Sequence, residues 1–186
     1  MTRTDSPVSS LLFADVHRLA GRASWPLIIR HVVTRDTFRY IVAMRVSANA
    51  RWRPVRWATR LYLRSLGRKL GIGIPSGTVI GPGFFIGHRG GIVVNSAAKI
   101  GADCNISHNV TIGVTRGPRG GVPIIGDRVY VGPGAVVIGP VTVGDDVAIG
   151  ANAVVTKDVP SGFTAVGNPA QSRPGGSGEY INQTSR

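Results

Sequence analysis

The chain has 186 residues and a net charge of +13, enough for one domain with an appendage and too ordered in composition for a disordered polyelectrolyte. Its one cysteine, Cys104, excludes an internal disulfide and a cysteine-based metal cluster, so no metal is expected. No apolar run approaches the ~20 residues of a membrane span, and the opening "MTRTDSPVSS" lacks a signal-peptide core, so a cytoplasmic protein is expected.

The charge is concentrated at one end. Residues 1–70 hold fourteen Arg and Lys against three Asp, a net of +11, whereas residues 71–186 hold eight against six, a net of +2. The first segment reads as helical. Ser9 or Ser10 is placed to cap "LLFADVHRLA", which Gly21 stops, and Thr34 is placed to cap "RDTFRYIVAMRV". Pro54 suits the first turn of "PVRWATRLYLRSLGRKL". In that helix Arg56, Arg60, Arg64 and Arg68 recur every four residues, with Trp52, Trp57 and Tyr62 among or near them. The stripe is either a solvated face on a packed helix or an interfacial face for an anionic membrane surface. Nucleic acid is a poorer fit, because no recognised binding motif accompanies the charge.

From residue 71 the text changes character. Ile74, Ile80 and Ile86 are six apart, as are Val94, Ile100, Ile106 and Ile112, and then Ile125, Val131, Val137, Val143, Ile149 and Val155. Two places before many of them stands a small or apolar residue, such as Ala98, Cys104, Val110 or Val129, and glycine often follows directly. A six-residue period of β-branched residues predicts a parallel β-helix, with one short strand and a turn per repeat. The aliphatic column should fill the interior, and the glycines should supply freedom to turn each corner. Cys104 falls in the inward register and reads as a small core residue.

The period breaks twice. The step from Ile86 to Val94 is eight, and the bulge contains His88 in "IGHRGG". The step from Ile112 to Ile125 is thirteen, leaving "VTRGPRGGVP" as a polar, glycine-rich excursion. Insertions in a solenoid often map to loops of the binding face.

The repeats "IGPGFFIGHRGGIVV", "IGADCNISHNVTIG" and "IGDRVYVGPGAVVIGPVTVGDDVAIGANAVVTKDVP", closing with "AVGNPA", resemble the hexapeptide-repeat acyltransferases. The nearest branch is the serine acetyltransferase-like one, with its relatives from exopolysaccharide gene clusters. The resemblance covers about residues 70–170 and implies an all-β left-handed parallel β-helix with an N-terminal α-helical segment. It also implies three repeats per coil, a homotrimer, acetyl-CoA as donor, and active sites between neighbouring subunits. By that resemblance His88 is the general base that deprotonates the acceptor hydroxyl, chemistry that suits an imidazole. His108 lies two residues after Ile106 as His88 lies two after Ile86, so the two should sit one coil apart, stacked strands being ~4.8 Å apart. His108 is then either a participant in the reaction or a surface residue standing where the family commonly has glutamine. Positions carried over for the donor are Val114, Pro133 and Ala151, with Lys157 as a phosphate partner or a solvated charge.

The chain also departs from the serine-specific pattern. Those enzymes have an acidic residue before the bulge histidine, where this chain has Gly87, and another upstream, where it has Gly73. Their extended loop ends in an Arg-His pair before a proline; here Gly121-Val122 precedes Pro123. Losing such polar contacts erodes selection of a substrate, so the first expectation is an O-acetyltransferase acting on a saccharide or polysaccharide precursor. Serine O-acetylation is the alternative, and a non-catalytic trimeric scaffold the second alternative. Arg116 and Arg119 in the excursion are candidates for an anionic acceptor or CoA phosphates, or are solvent-exposed charge. The organisation expected is a basic helical segment over 1–70, the β-helix over 71–170 and a disordered tail over 171–186. A location at the inner membrane face goes with the interfacial reading of the basic helix.

Overall fold

The computed structural model describes residues 7–118 and 120–181. Four helices lead the chain: α1 (Val8–Ala20), α2 (Trp25–Thr34), α3 (Asp36–Asn49) and α4 (Arg53–Leu70). Helix α2 lies within the segment read as helical but is not delimited in the sequence reading. Its Ile28, Ile29, Val32 and Val33 are weak helix formers, and Pro26 resembles a breaker. The proline occupies the first turn, however, where a missing N–H costs nothing. The expected caps also differ. The Ser10 hydroxyl donates to the Pro7 carbonyl at 2.7 Å and the Thr34 hydroxyl to the Arg30 carbonyl at 2.9 Å. Helices α1 and α3 therefore start without a side-chain cap. Gly21 does end α1, in the left-handed region at φ 71°.

After Gly71 the chain winds into coils whose short strands stack as three parallel faces. The first face contains β1 (Ile72–Gly73), β4 (Ile92–Val94), β7 (Thr111–Gly113), β10 (Val136–Ile138) and β13 (Val154–Val155). The second contains β2 (Val79–Ile80), β5 (Lys99–Ile100), β8 (Ile124–Ile125) and β11 (Thr142–Val143). The third contains β3 (Phe85–Ile86), β6 (Asn105–Ile106), β9 (Tyr130–Val131), β12 (Ala148–Ile149) and β14 (Phe163–Val166). This is the expected left-handed parallel β-helix with a helical N-terminal segment. Register follows the period, since Ile86 pairs with Ile106, Ile106 with Val131, and Val131 with Ile149. Every aliphatic residue of the six-residue column is buried, and so are Ala98, Cys104, Val110 and Val129 of the second column.

The glycines act differently from the expectation. Gly81 and Gly132 are not in the left-handed region; a Cβ on Gly81 would lie 2.6 Å from the Ala102 nitrogen, and one on Gly132 2.8 Å from the Ile149 carbonyl. They are there because adjacent coils approach too closely for a side chain. Many of the left-handed turn positions are instead filled by Asp103, Asn109, Arg128, Asp146 and Asn152, all with φ between 55° and 57°. Asp and Asn tolerate that region best among side-chain-bearing residues.

Polar anchors dock the helices onto the first coils. Arg45 of α3 donates to the Asp15 carboxylate of α1 at 2.9 and 3.0 Å, and to the carbonyls of Ile80 and Gly81 at 2.6 Å each. Asp15 also accepts from the Phe84 amide at 2.9 Å. Tyr40 donates to the Ile74 carbonyl and accepts from its amide. The anchored segment 80–84 leads directly into the bulge that carries His88.

The expected disorder over 171–186 does not hold for its first part. Strand β15 (Gln171–Pro174) pairs antiparallel with β14, and the Ser177 hydroxyl donates to the Arg128 carbonyl at 2.6 Å. The Tyr180 ring stacks on Tyr130 with centroids 5.0 Å apart. Aperiodic composition concealed this because the segment takes its order from the open edge of the last coil, whose backbone groups need partners. Residues 182–186 lie outside the described residues.

Candidate active site

The bulge between β3 and β4 is built by two glycines, Gly90 and Gly91, at φ 107° and 64°. Gly91 has no room for a side chain, since its Cβ would strike Asn109. The bulge lets His88 project into solvent. His108 occupies the same corner one coil on. The two rings meet edge to face, with centroids 5.7 Å apart and an interplanar angle of 84°. His108 is partly buried, and its Nδ1 is enclosed without a hydrogen-bond partner. Its backbone is held by the Gly134 amide, which donates to the His108 carbonyl at 3.0 Å.

The helical segment touches this bulge as well. Arg89, next to His88, pairs with Asp36 at the start of α3 at 3.2 Å. Both groups are substantially exposed, so the pair orients the loop more than it stabilises it.

Register extends the corner into a row. His88, His108, Pro133 and Ala151 each lie two residues beyond a paired aliphatic residue of the third face. They line one edge of the β-helix, with exposure at Ala151 and partial exposure at Pro133. Val114, Arg116 and Lys157 follow strands of the first face and sit at the next edge round. One chain therefore brings together four of the expected site residues and holds three others a full face away. Arg116 is exposed on the excursion, which is closed by reciprocal hydrogen bonds of 3.1 Å between Thr115 and Gly121. Arg119 lies outside the described residues. Lys157 lines a recess of about 340 Å³ with Asp158, Pro169 and Gln171.

Two glycines are informative for what they leave open. A Cβ on Gly87 would stand 3.7 Å from the Phe85 ring and 3.8 Å from the Ile106 carbonyl; one on Gly73 would stand 3.5 Å from the Ile92 carbonyl. Neither position excludes a side chain by contact. Cys104 is no nucleophile: it is buried, its thiol meets the Gly126 carbonyl at 3.1 Å, and burial pushes its pKa up to about 12. Among the described residues no group of three His, Cys, Asp or Glu is placed to hold a metal.

Residues 123–157 match the family model for the bacterial transferase hexapeptide (six repeats). The chain is similar to the hexapeptide-repeat transferases, and the serine acetyltransferase-like branch fits it. It is 51% identical over 104 residues to the serine acetyltransferase of Helicobacter pylori (strain ATCC 700392 / 26695), covering 54% of this chain and 60% of the relative. The chain thus spans less than two thirds of that relative's length. Its fold superimposes on Neisseria gonorrhoeae serine acetyltransferase in complex with serine at a TM-score of 0.73 and 27% identity, covering 88% and 68% of the two chains. A serine acetyltransferase in complex with CoA gives 0.72 at 29% identity, covering 89% and 69%.

Proposed function

We propose that this chain is an acetyl-CoA-dependent O-acetyltransferase whose acceptor is L-serine. The observation that carries the reaction class is the solvent-facing His88 in the glycine bulge, edge to face with His108 at the head of the row containing Pro133 and Ala151. The acceptor follows from the likeness to serine acetyltransferases, one of them solved with serine. A saccharide, the first expectation from the sequence, has no support among those relatives and gives way to serine.

In this reading the His88 imidazole takes the proton of the acceptor hydroxyl as its oxygen attacks the thioester carbonyl. The tetrahedral oxyanion is met by backbone N–H groups of the glycine-rich turn. Collapse forms the ester, breaks the carbon–sulfur bond, and returns the proton from His88 to the departing CoA thiolate. No side chain is acylated. His108 is a positioning residue that holds the His88 ring on edge. Pro133 and Ala151 offer the CoA arm a row of small surfaces and backbone groups. Val114, Lys157 and Arg116 belong to a second edge, so the complete donor site draws on two edges. A homotrimer, in which one copy's histidine row faces the neighbour's second edge, gathers them. A cytoplasmic location goes with the use of acetyl-CoA.

One observation favours a second reading, an acceptor other than serine: Gly87 and Gly73 leave empty the places where the serine-specific enzymes carry acids. The experiment is thiol release from acetyl-CoA with L-serine and with a panel of other hydroxyl compounds. His88→Ala should lower kcat on the true acceptor by roughly 10²–10⁴-fold. Turnover on serine that survives this substitution would refute the assignment of the base, and turnover only on other hydroxyls would replace the acceptor. CoA binding without turnover on any acceptor would point to a scaffold. His108→Gln should lower kcat by roughly tenfold, equivalent to ~1.4 kcal/mol, with little change in KM.

A further inference from the structure

We infer that the exposed face of α4 docks onto an anionic phospholipid bilayer. The inference rests on the face of α4 and the recesses beside it and is independent of the acetyl-transfer reading. Arg53, Trp57, Arg60, Leu61, Arg64 and Arg68 fall at the spacing of a single helical face, and all six are solvent-exposed. The helix buries Leu63, Leu66, Gly67 and Leu70 on another side, so this face is left over once the core is satisfied.

Three properties identify its occupant. The whole of α4 contains five Arg and one Lys and no carboxylate, so its charge is not neutralised along its own length. Trp57 is 68% exposed, and Trp52 just ahead of the helix is 76% exposed; large rings in water next to guanidinium groups suit the headgroup boundary of a membrane. Two recesses flank the face and share Arg60. One, about 470 Å³, is lined by Arg53, Arg56 and Trp57; the other, about 710 Å³, is lined by Arg64 and Arg68 together with apolar residues that include Leu63 and Ile72. Each places guanidinium groups around a concavity open enough for a phosphate headgroup.

A second copy of this chain would set like charge against like, since residues 1–70 carry a net of +11. Duplex nucleic acid would satisfy the arginines but leave Leu61 and Trp57 facing water. Among the described residues no helix is long and apolar enough to cross a membrane, so the attachment is to the surface.

The test is flotation of the full chain with vesicles of phosphatidylcholine alone or with added phosphatidylglycerol, at low and high salt, with tryptophan emission recorded. Expected are binding to the anionic vesicles only, a blue shift of emission on binding, and loss of binding at high salt. The exposed pair Arg64→Gln with Arg68→Gln should weaken partitioning roughly thirtyfold, and Trp57→Ala with Leu61→Ala should reduce the blue shift to the part contributed by Trp52. Circular dichroism confirms that each variant is folded. Absence of flotation, or equal flotation with neutral vesicles, overturns the inference. So does duplex DNA that displaces the vesicles at equal concentration of phosphate. A change of solution mass in the α4 variants with flotation unaltered would assign the face to self-association and overturn it as well.

Discussion

The β-helix and the helical segment ahead of it achieve burial by different rules. In the β-helix one residue in six repeats the same act, entering a column whose neighbours above and below are fixed by backbone pairing. A single pattern therefore specifies dozens of contacts, and departures from it stand out as the bulge at His88 and the excursion after Ile112. In the helices no pattern repeats. They share the apolar core of the first coils through Ile41, Met44, Leu63, Leu66 and Leu70. Their seating on it is set by a few polar residues, among them Asp15, Tyr40 and Arg45, that meet specific carbonyls and amides. Redundant apolar packing in the columns should tolerate single changes, while the polar contacts of the junction, which converge on one buried ion pair, Asp15 of α1 with Arg45 of α3, should not.

The sharpest way to break that junction is Asp15→Ala. It leaves the buried Arg45 guanidinium without its carboxylate partner and should cost about 3–5 kcal/mol. Thermal unfolding of the variant should show a lower Tm, with far-UV circular dichroism losing helix before strand. Replacing both Asp15 and Arg45 by apolar residues should recover much of the loss; no recovery would mean that the carbonyl contacts of Arg45, not the ion pair, hold the helices.

A second test concerns the turns. Gly132→Ala should destabilise by about 1–3 kcal/mol, because its Cβ meets backbone of the next coil. Asn152→Gly, at a left-handed position of the next turn, should lie within ~1 kcal/mol of wild type. Equal effects at the two sites would return the turn glycines to the role of conformational hinges. Urea titrations measure both.

These contrasts also explain what could be read in advance. The columns from Ile74 to Val155 were legible because burial and register share one period, and the pairing of His88 with His108 followed from it by counting. The role of the corner glycines was not, because a close approach between coils and a positive φ select the same residue. The bounds of helix α2 were hidden by β-branched residues and a proline whose tolerance depends on being in the first turn. The order of 171–181 was hidden because it is imposed by the coil edge it covers. The residues of the row were named from the sequence, but only His88 and His108 were expected to share a column. That Val114 and Lys157 occupy a different edge required the assignment of strands to faces.

The room around Gly87 gives a finer probe. Gly87→Asp adds a carboxylate beside His88 without backbone conflict. If serine is the acceptor and the missing acid merely weakens its capture, kcat/KM for serine should rise by about tenfold, or ~1.4 kcal/mol. A fall would mean that the open space at Gly87 is occupied by part of a different acceptor.

The last effect lies in the core itself and is confined to alkaline pH. Burial holds the Cys104 thiol protonated up to about pH 12, whereas the same thiol in the unfolded chain ionises near 9. Between those values the folded state retains a proton that the unfolded state has released. Stability should then fall as pH rises through this window, by at most roughly 1.4 kcal/mol per pH unit from this group. Cys104→Ala removes the term, so its unfolding free energy should decline less steeply over alkaline pH than that of wild type, despite a lower value at neutral pH from the lost packing. Parallel slopes would mean that the coil opens locally enough to let the thiolate reach water, and that the uninterrupted column around Cys104 is softer than its burial suggests.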